Sequence, residues 1–203
     1  AVCGGSDSTN IGDGLWGMGG NDTLYGGRNV TAGADDLYGY AGNDTIYGAN
    51  DGDVYYGDSG NDTIFAAGSG FIVDSDTGNN VTMWGGGGDD TIFASISEVS
   101  SAQIYYGGNP SPNWVDASFD EVANNADTGL NDIVSYFGAT NGVTIDLDVG
   151  VADEGLTRGT GTGGAANGDR FYSVEHIIGS NTGNDVIIGG AAANRLEGNG
   201  GND

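Results

Sequence analysis

The chain has 203 residues, of which 42 are glycine, 29 are aspartate or glutamate and four are lysine or arginine, so its formal net charge is −25. This charge excludes a nucleic-acid-binding face, which needs lysine and arginine. No segment approaches the roughly 20 consecutive apolar residues of a membrane-spanning helix, and the single cysteine, Cys3, excludes an internal disulfide. Hydrophobic residues make up 37% of the chain, enough for a core, so folding requires that something neutralises the acidic groups.

A nine-residue repeat runs through residues 1–106. Its clearest copies read GMGGNDTLY at 17–25, GYAGNDTIY at 39–47, GDSGNDTIF at 57–65 and GGGGDDTIF at 85–93. Each copy begins with a glycine-rich turn, carries aspartate at position six and has an apolar residue at position eight. The phase continues through four-residue insertions and through a degenerate stretch near residues 66–84.

Two positions of the repeat carry the pattern. Position six is occupied by Asp13, Asp22, Asp35, Asp44, Asp53, Asp62 and Asp90. Position eight is occupied by Leu15, Leu24, Leu37, Ile46, Tyr55, Ile64, Val73, Met83, Ile92 and Tyr105. At Phe71, Val81 and Gln103 position six has lost its aspartate, so we expect weak or empty sites there.

The second half of the chain departs from the short period before returning to it. Residues 107–130 are predicted to form a long loop, and residues 131–179 an irregular β segment with longer coils. Within that segment apolar residues alternate from Val143 to Val151, residues 157–168 are predicted to form a Gly/Thr-rich loop, and a strand follows at 170–179. The repeat resumes over 180–203, with Asp185, Asn194 and Asp203 at position six. No amphipathic helix is apparent, so the sequence predicts an all-β fold.

The repeat predicts columns of carboxylates. Glycine permits the turns, and the residue in the middle of each three-residue strand points inward. Two repeats make one coil of about 18 residues, with stacked strands roughly 4.8 Å apart. Asp22, Asp44 and Asp62 therefore fall in one column, and Asp13, Asp35 and Asp53 in the other.

Such columns repel unless a cation lies between adjacent turns. Paired carboxylates and glycine carbonyls supply the six to eight oxygen ligands, at about 2.3–2.6 Å, that Ca²⁺ favours. The sequence therefore predicts several bound Ca²⁺ ions. The predicted calcium-binding residues are Asp13, Gly20, Asp22, Asp35, Gly42, Asp44, Asp53, Gly60, Asp62, Gly88, Asp90, Asp132, Asp185 and Asp203.

On these residues the sequence resembles the RTX (repeats-in-toxin, haemolysin-type) calcium-binding family, whose motif is GGxGxDxUx. The resemblance implies a right-handed parallel β-roll, here of roughly 11 coils and about 50 Å in length. It also implies secretion by a bacterium and folding at millimolar Ca²⁺, since extracellular modules bind at about 10⁻⁴–10⁻³ M. Residues 131–152 and 168–190 resemble a segment that accompanies such repeats, in which Asp169 and Glu175 match acidic positions with a weak calcium role.

Position nine of the repeat is aromatic in nine of ten copies. These residues are Trp16, Tyr25, Tyr38, Tyr47, Tyr56, Phe65, Trp84, Phe93 and Tyr106. Because position eight points inward, positions seven and nine point outward. The resulting aromatic ladders are interpreted either as cross-strand stacking or as an interaction face, and the sequence does not separate the two.

No catalytic motif is present. The sequence contains neither an HExxH zinc motif nor a GxSxG nucleophile motif, so we do not expect an enzyme. The only histidine, His176, is predicted to lie on the surface of a strand. Asp146 and Asp148 are predicted to face outward on another strand.

The two ends of the chain are in phase with each other. Joining Asp203 to Ala1 continues the repeat, with Val2 at position eight and the same four-residue insertion before Asp13. We therefore expect the preferred partners to be other copies of the chain, stacked head to tail and packed laterally through the aromatic ladders. The predicted function is a calcium-dependent structural module of an extracellular bacterial assembly, such as a filament, surface layer, matrix or giant adhesin.

Two alternatives remain open. The first is a calcium-driven folding and export module of a type I-secreted enzyme whose catalytic domain lies outside this chain. The second is a face of threonine and aromatic columns that binds glycans or ice.

Overall fold

The computed structural model describes residues 2–3, 14–26, 35–48, 53–65, 82–94, 103–108, 131–153 and 156–203. Within these residues the regular structure is strand, apart from one 3₁₀ turn at Gly164–Ala166. The strands are β1 Val2–Cys3, β2 Gly14–Trp16, β3 Thr23–Tyr25, β4 Asp36–Tyr38, β5 Thr45–Tyr47, β6 Val54–Ser59, β7 Thr63–Phe65, β8 Thr82–Gly87, β9 Thr91–Phe93, β10 Ile104–Gly108, β11 Ile133–Ser135, β12 Thr144–Asp153, β13 Leu156–Gly163, β14 Arg170–Tyr172, β15 His176–Ile178, β16 Val186–Ile188 and β17 Leu196–Glu197.

The strands form two sheets, and successive repeats contribute to them alternately. The first sheet has the order β1-β3-β5-β7-β9-β11-β15-β17, and the second has the order β16-β12-β13-β14-β10-β8-β6-β4-β2. The first sheet is parallel throughout, and equivalent repeat positions pair, as in Leu24 with Ile46 and Ile46 with Ile64. The predicted all-β parallel β-roll is therefore confirmed.

The second sheet contains an antiparallel insertion that the sequence did not predict. Strand β13 pairs antiparallel with both β12 and β14, so the expected loop at 157–168 is wrong for residues 157–163. The glycines of β13 allow this packing: a Cβ on Gly159 would lie 2.9 Å from a methyl group of Leu147, and one on Gly161 would overlap the carbonyl of Ala166. The described sheets hold eight and nine strands, and two of the nine belong to this hairpin; about 11 coils were expected from the sequence.

The core is a single column of side chains between the two sheets. Nearly all described position-eight residues are buried, and they pack in one cluster. These residues are Leu15, Leu24, Leu37, Ile46, Tyr55, Ile64, Met83, Ile92 and Tyr105. The predicted inward direction of position eight is therefore confirmed, while Val73 lies outside the described residues.

Glycine at position four of the turns is required by the stacking of the coils. Gly42 and Gly60 have φ values of 134° and 132°, in the left-handed region. A Cβ on Gly42 would overlap the carbonyl of Gly20, and a Cβ on Gly60 would overlap the carbonyl of Gly42. Each turn therefore lies directly against the backbone of the turn before it, which places the position-six carboxylates in line.

The outward aromatic residues form a stacked ladder on each sheet. On the first sheet, Tyr25, Tyr47, Phe65 and Phe93 stack with ring centroids 4.6–4.9 Å apart. On the second sheet the stack runs through Tyr38, Tyr56, Trp84, Tyr106 and Tyr172, with centroids 4.6–5.1 Å apart. The rings are half-buried against one another, except that of Tyr172, which is buried. The predicted ladders are therefore confirmed as cross-strand stacks.

Candidate metal centre

The first column of acidic side chains follows the turns that precede the first sheet. The backbone N–H of Asp22 donates to Oδ1 of Asp44, and that of Asp44 donates to Oδ1 of Asp62, each over 2.7 Å. The same bond continues from Asp62 to Asp90 at 2.7 Å and from Asp90 to Asp132 at 2.8 Å. The predicted stacking of Asp22, Asp44 and Asp62 is confirmed. The column ends at Glu175, whose Oε2 accepts the N–H of Asp132 at 3.2 Å.

The second column lies at the opposite edge of the roll. The backbone N–H of Asp35 donates to Oδ1 of Asp53 at 2.8 Å, which confirms that these two residues stack. Farther along, the N–H of Gln103 donates to Oδ1 of Asp169, also at 2.8 Å. Asp13, Phe71 and Val81 lie outside the described residues.

The turns at 180–203 repeat the same bond at the far end of the roll. The N–H of Val143 donates to Oδ1 of Asp185 at 2.7 Å, and the N–H of Asp185 donates to Oδ1 of Asp203 at 2.9 Å. At Asp185 the second carboxylate oxygen is already bonded, because Oδ2 accepts the backbone N–H of Ser180 at 3.0 Å. The hydroxyl of Ser180 also lies 3.0 Å from Oδ1.

Asparagine at position five of the repeat also joins successive turns, by hydrogen bonds that run in the opposite direction. The N–H of Asn43 donates to Oδ1 of Asn21, and the N–H of Asn61 donates to Oδ1 of Asn43, each at 3.0 Å. Asparagine at position five thus accepts from the following turn, whereas aspartate at position six accepts from the preceding one. Each turn is therefore fixed to both neighbours, and the carboxylates have little freedom to move apart.

The second oxygens of Asp44 and Asp62 have the surroundings of cation ligands. Both Oδ2 atoms are buried and have no hydrogen-bond partner. A Cβ on Gly39 would lie 2.5 Å from Oδ2 of Asp44 and 2.8 Å from the carbonyl oxygen of Gly57. A carboxylate oxygen and a carbonyl oxygen thus border the same small gap beside glycine, which we call the glycine gap.

The electrostatics of this column also favour a cation. Burial raises the pKa of Asp62 to about 7, although the N–H of Asp44 opposes the shift, and the charges of Asp44 and Asp58 raise it further. Burial likewise raises the pKa of Asp44, although the N–H of Asp22 opposes the shift and the charge of Asp22 adds to it. A raised carboxyl pKa means that the buried negative charge is unfavourable. A cation in the glycine gap would stabilise that charge.

The available ligands suit Ca²⁺ better than a transition metal. Among the described residues, no three His, Cys, Asp or Glu side chains converge on one point, as a zinc site would require. The turns instead supply one carboxylate per repeat together with backbone carbonyl oxygens, which are the hard ligands that Ca²⁺ prefers. Asp44 and Asp62 therefore fit calcium. Ligand roles for the other predicted residues remain predictions.

Two acidic residues of the columns lie in the irregular segment, where the short repeat is hard to see. Asp169 begins the sequence DRFY and Glu175 begins EHII, so both are followed two residues later by a buried residue, Phe171 or Ile177. The signal is therefore the spacing of positions six to nine, which at Glu175 occurs without a glycine-rich turn. By contrast, Asp146 and Asp148 lie on β12 outside the columns, joined by a 2.8 Å bond from the N–H of Asp148 to Oδ1 of Asp146.

The fold and the turn columns define a class of protein: a parallel β-roll whose glycine-rich turns carry stacked aspartates. Four segments of the chain match the RTX calcium-binding nonapeptide repeat, at residues 13–29, 30–64, 75–96 and 180–203. These segments of the chain are therefore RTX calcium-binding repeats, and the repeats imply Ca²⁺ binding. No curated protein and no solved structure matched the chain. The described part of the chain contains no helix with the length and apolar character needed to cross a membrane.

Proposed function

We propose that the chain is a calcium-dependent structural module of an extracellular bacterial assembly, in which copies stack head to tail. The observation that carries this proposal is the exposure of Leu196. This residue occupies an inward position on the terminal strand β17, yet 40% of its surface is exposed, whereas Leu15 at the other end of the roll is 4% exposed. A further coil in the same register, from a second copy or from the same polypeptide, would cover Leu196.

The registers at the two ends are compatible with such stacking. Strand β1 pairs with β3 so that Val2 lies beside Leu24, which places Val2 at position eight. At the other end, Asp203 accepts the N–H of Asp185 and so lies at position six. A strand in the phase of β1 would therefore extend the second sheet beside β16. The next strand, in the phase of β2, would cover Leu196.

Stacking is tested by light scattering and circular dichroism on the whole chain during titration of Ca²⁺ against EGTA. We expect a disordered monomer that gains β signal and then grows into long particles. Leu196→Asp should gain the same β signal but remain small, because it places a charge in the contact between copies. Phe137→Asp is the matched control, since Phe137 is 47% exposed on a turn, and this variant should grow like the wild type.

Two outcomes would contradict the proposal. A wild-type chain that folds with calcium but never grows would favour a folding and export module of a secreted enzyme. Growth of Leu196→Asp equal to that of Phe137→Asp would show that the end of the core is not the contact between copies.

A further inference from the structure

Two carboxylates of the second column contact tyrosine hydroxyls. The hydroxyl of Tyr55 donates to Oδ2 of Asp53 over 2.8 Å, and both side chains are buried. The hydroxyl of Tyr136 donates to Oδ2 of Asp169, and the hydroxyl of Tyr105 lies 3.4 Å from the same atom. A phenol thus reaches each carboxylate at the oxygen that remains unpartnered in Asp44 and Asp62.

The hydroxyl of Tyr55 occupies the space that corresponds to the glycine gap. Gly48 stands five residues before Asp53, as Gly39 stands five residues before Asp44. A Cβ on Gly39 would approach oxygens of the carboxylate and of the next turn, whereas a Cβ on Gly48 would overlap the hydroxyl of Tyr55. The same glycine position therefore borders a gap between oxygens in one turn and a gap filled by a phenol in the other.

The repeat explains how the tyrosine reaches this place. Position eight points inward, and at the neighbouring repeats it is occupied by Leu37, Ile46 and Ile64, whose side chains carry no polar group. A buried tyrosine requires a partner for its hydroxyl, and the carboxylate two residues earlier provides one. Burial and the charge of Asp169 raise the pKa of Tyr136 well above its usual range, so the phenol remains a hydrogen-bond donor.

We propose that tyrosine hydroxyls replace calcium at Asp53 and Asp169, so that these two turns are held without an ion while the first column binds Ca²⁺. This inference refines the proposed calcium-dependent function and rests on it for the first column. It also removes Asp53 from the residues that the sequence predicts to bind calcium. The roll would then combine one metal-dependent edge with an opposite edge that is partly independent of the metal.

Calcium stoichiometry separates the two kinds of turn. Equilibrium dialysis with radioactive calcium is performed on the full-length wild type, Asp53→Asn and Asp62→Asn. We expect Asp53→Asn to bind as many ions as the wild type and Asp62→Asn to bind fewer. A loss of bound calcium in Asp53→Asn would overturn the inference. If Asp53→Asn does not fold, the inference is tested with Tyr55→Ile instead. This variant should bind one more Ca²⁺ ion than the wild type, and an unchanged number of bound ions would overturn the inference.

A second experiment tests the hydrogen bond between Tyr55 and Asp53 through thermal stability instead of the number of bound ions. Tyr55→Phe should lower the thermal unfolding midpoint by about 2–4 °C or more, whereas Tyr47→Phe, which removes an outward hydroxyl, should leave it unchanged. Equal midpoints for the two variants would overturn the inference. This comparison is made under whichever calcium condition folds the chain. A wild type that binds no calcium would therefore refute the proposed function while the Tyr55 result still tests the contact.

Discussion

The backbone N–H of Asp44 donates to Oδ1 of Asp62, 2.7 Å away across eighteen residues of chain. Because eighteen residues are two repeats, this bond joins equivalent turns of successive coils. It occupies Oδ1 of Asp62, and the equivalent bond from the N–H of Asp22 occupies Oδ1 of Asp44. The buried Oδ2 of both Asp44 and Asp62 is left without a hydrogen-bond partner. The carboxylates therefore act in two ways: Oδ1 holds the stack together and Oδ2 is available to a cation.

Asp62→Asn separates these two roles. The amide oxygen can still accept the N–H of Asp44, but the negative charge is lost. We expect the Ca²⁺ concentration at the folding midpoint to rise at least about tenfold, equivalent to about 1.4 kcal/mol, as measured by circular dichroism. Asp148→Asn, which removes a charge from an exposed residue, should leave the midpoint unchanged. Equal midpoints for the two variants would contradict a ligand role for Asp62.

Gly39→Ala should block the glycine gap. The added methyl would lie 2.5 Å from Oδ2 of Asp44 and 2.8 Å from the carbonyl oxygen of Gly57, which is closer than van der Waals contact. We expect a higher Ca²⁺ midpoint and a loss of roughly 1–3 kcal/mol in the free energy of unfolding. The matched control is Gly19→Ala, because a Cβ on Gly19 has nothing within 4 Å. If Gly19→Ala changed the Ca²⁺ midpoint and the free energy of unfolding as much as Gly39→Ala does, the effect would come from the lost flexibility of glycine and not from the blocked glycine gap.

The repeat predicted the regular part of the fold because one physical rule applies at every copy. Position eight must be buried and position six must follow a tight turn, so Ile46 and Asp44 were placed correctly from spacing alone. The β12–β13 hairpin could not be predicted in this way, because its alternating apolar residues fit a parallel and an antiparallel partner equally well. The partner is selected by tertiary packing, in which Gly159 allows β13 to approach Leu147.

The contact between Tyr55 and Asp53 was missed for a different reason. The repeat assigns Tyr55 to the core as an apolar side chain, and this assignment is correct for the ring. Its hydroxyl nevertheless requires a partner when buried, and Asp53 is the polar residue nearest in sequence on the same side of the strand. The hydroxyl of Tyr55, at a repeat position that is otherwise apolar, was therefore the sequence feature from which this contact could have been predicted.

Tyr47 tests whether the aromatic ladder stabilises the roll. Its ring stacks between Tyr25 at 4.9 Å and Phe65 at 4.8 Å. Tyr47→Ala removes two stacked pairs, each worth about 0.5–1.5 kcal/mol beyond burial, so we expect urea unfolding at saturating calcium to show a loss of roughly 1–3 kcal/mol. Tyr47→Phe keeps the stack and should match the wild type. Unchanged stability of Tyr47→Ala would favour the interpretation of the ladder as an interaction face.

The stability of the calcium-loaded roll should depend on pH through Asp169. Burial raises the pKa of this carboxyl from 3.8 to about 7, while bonds from Tyr136, Gln103 and Tyr105 oppose the shift. Because the folded pKa is the higher one, the stabilising contribution is complete below the unfolded pKa of 3.8 and is lost as the pH rises through about 7.

The variant Asp169→Asn isolates this contribution, since its side chain does not titrate while the other carboxylates are unchanged. Urea midpoints of wild type and variant are compared at equal, saturating calcium between about pH 5 and 8, the range around the raised pKa. We expect the wild type to gain stability relative to Asp169→Asn as the pH falls across that range. A difference that stays constant with pH would show that Asp169 titrates outside the range and is not held in the protonated form by burial. A difference that grows as the pH rises would mean that hydrogen bonds or a cation stabilise the charged form of Asp169 by more than burial destabilises it, which would contradict the raised pKa.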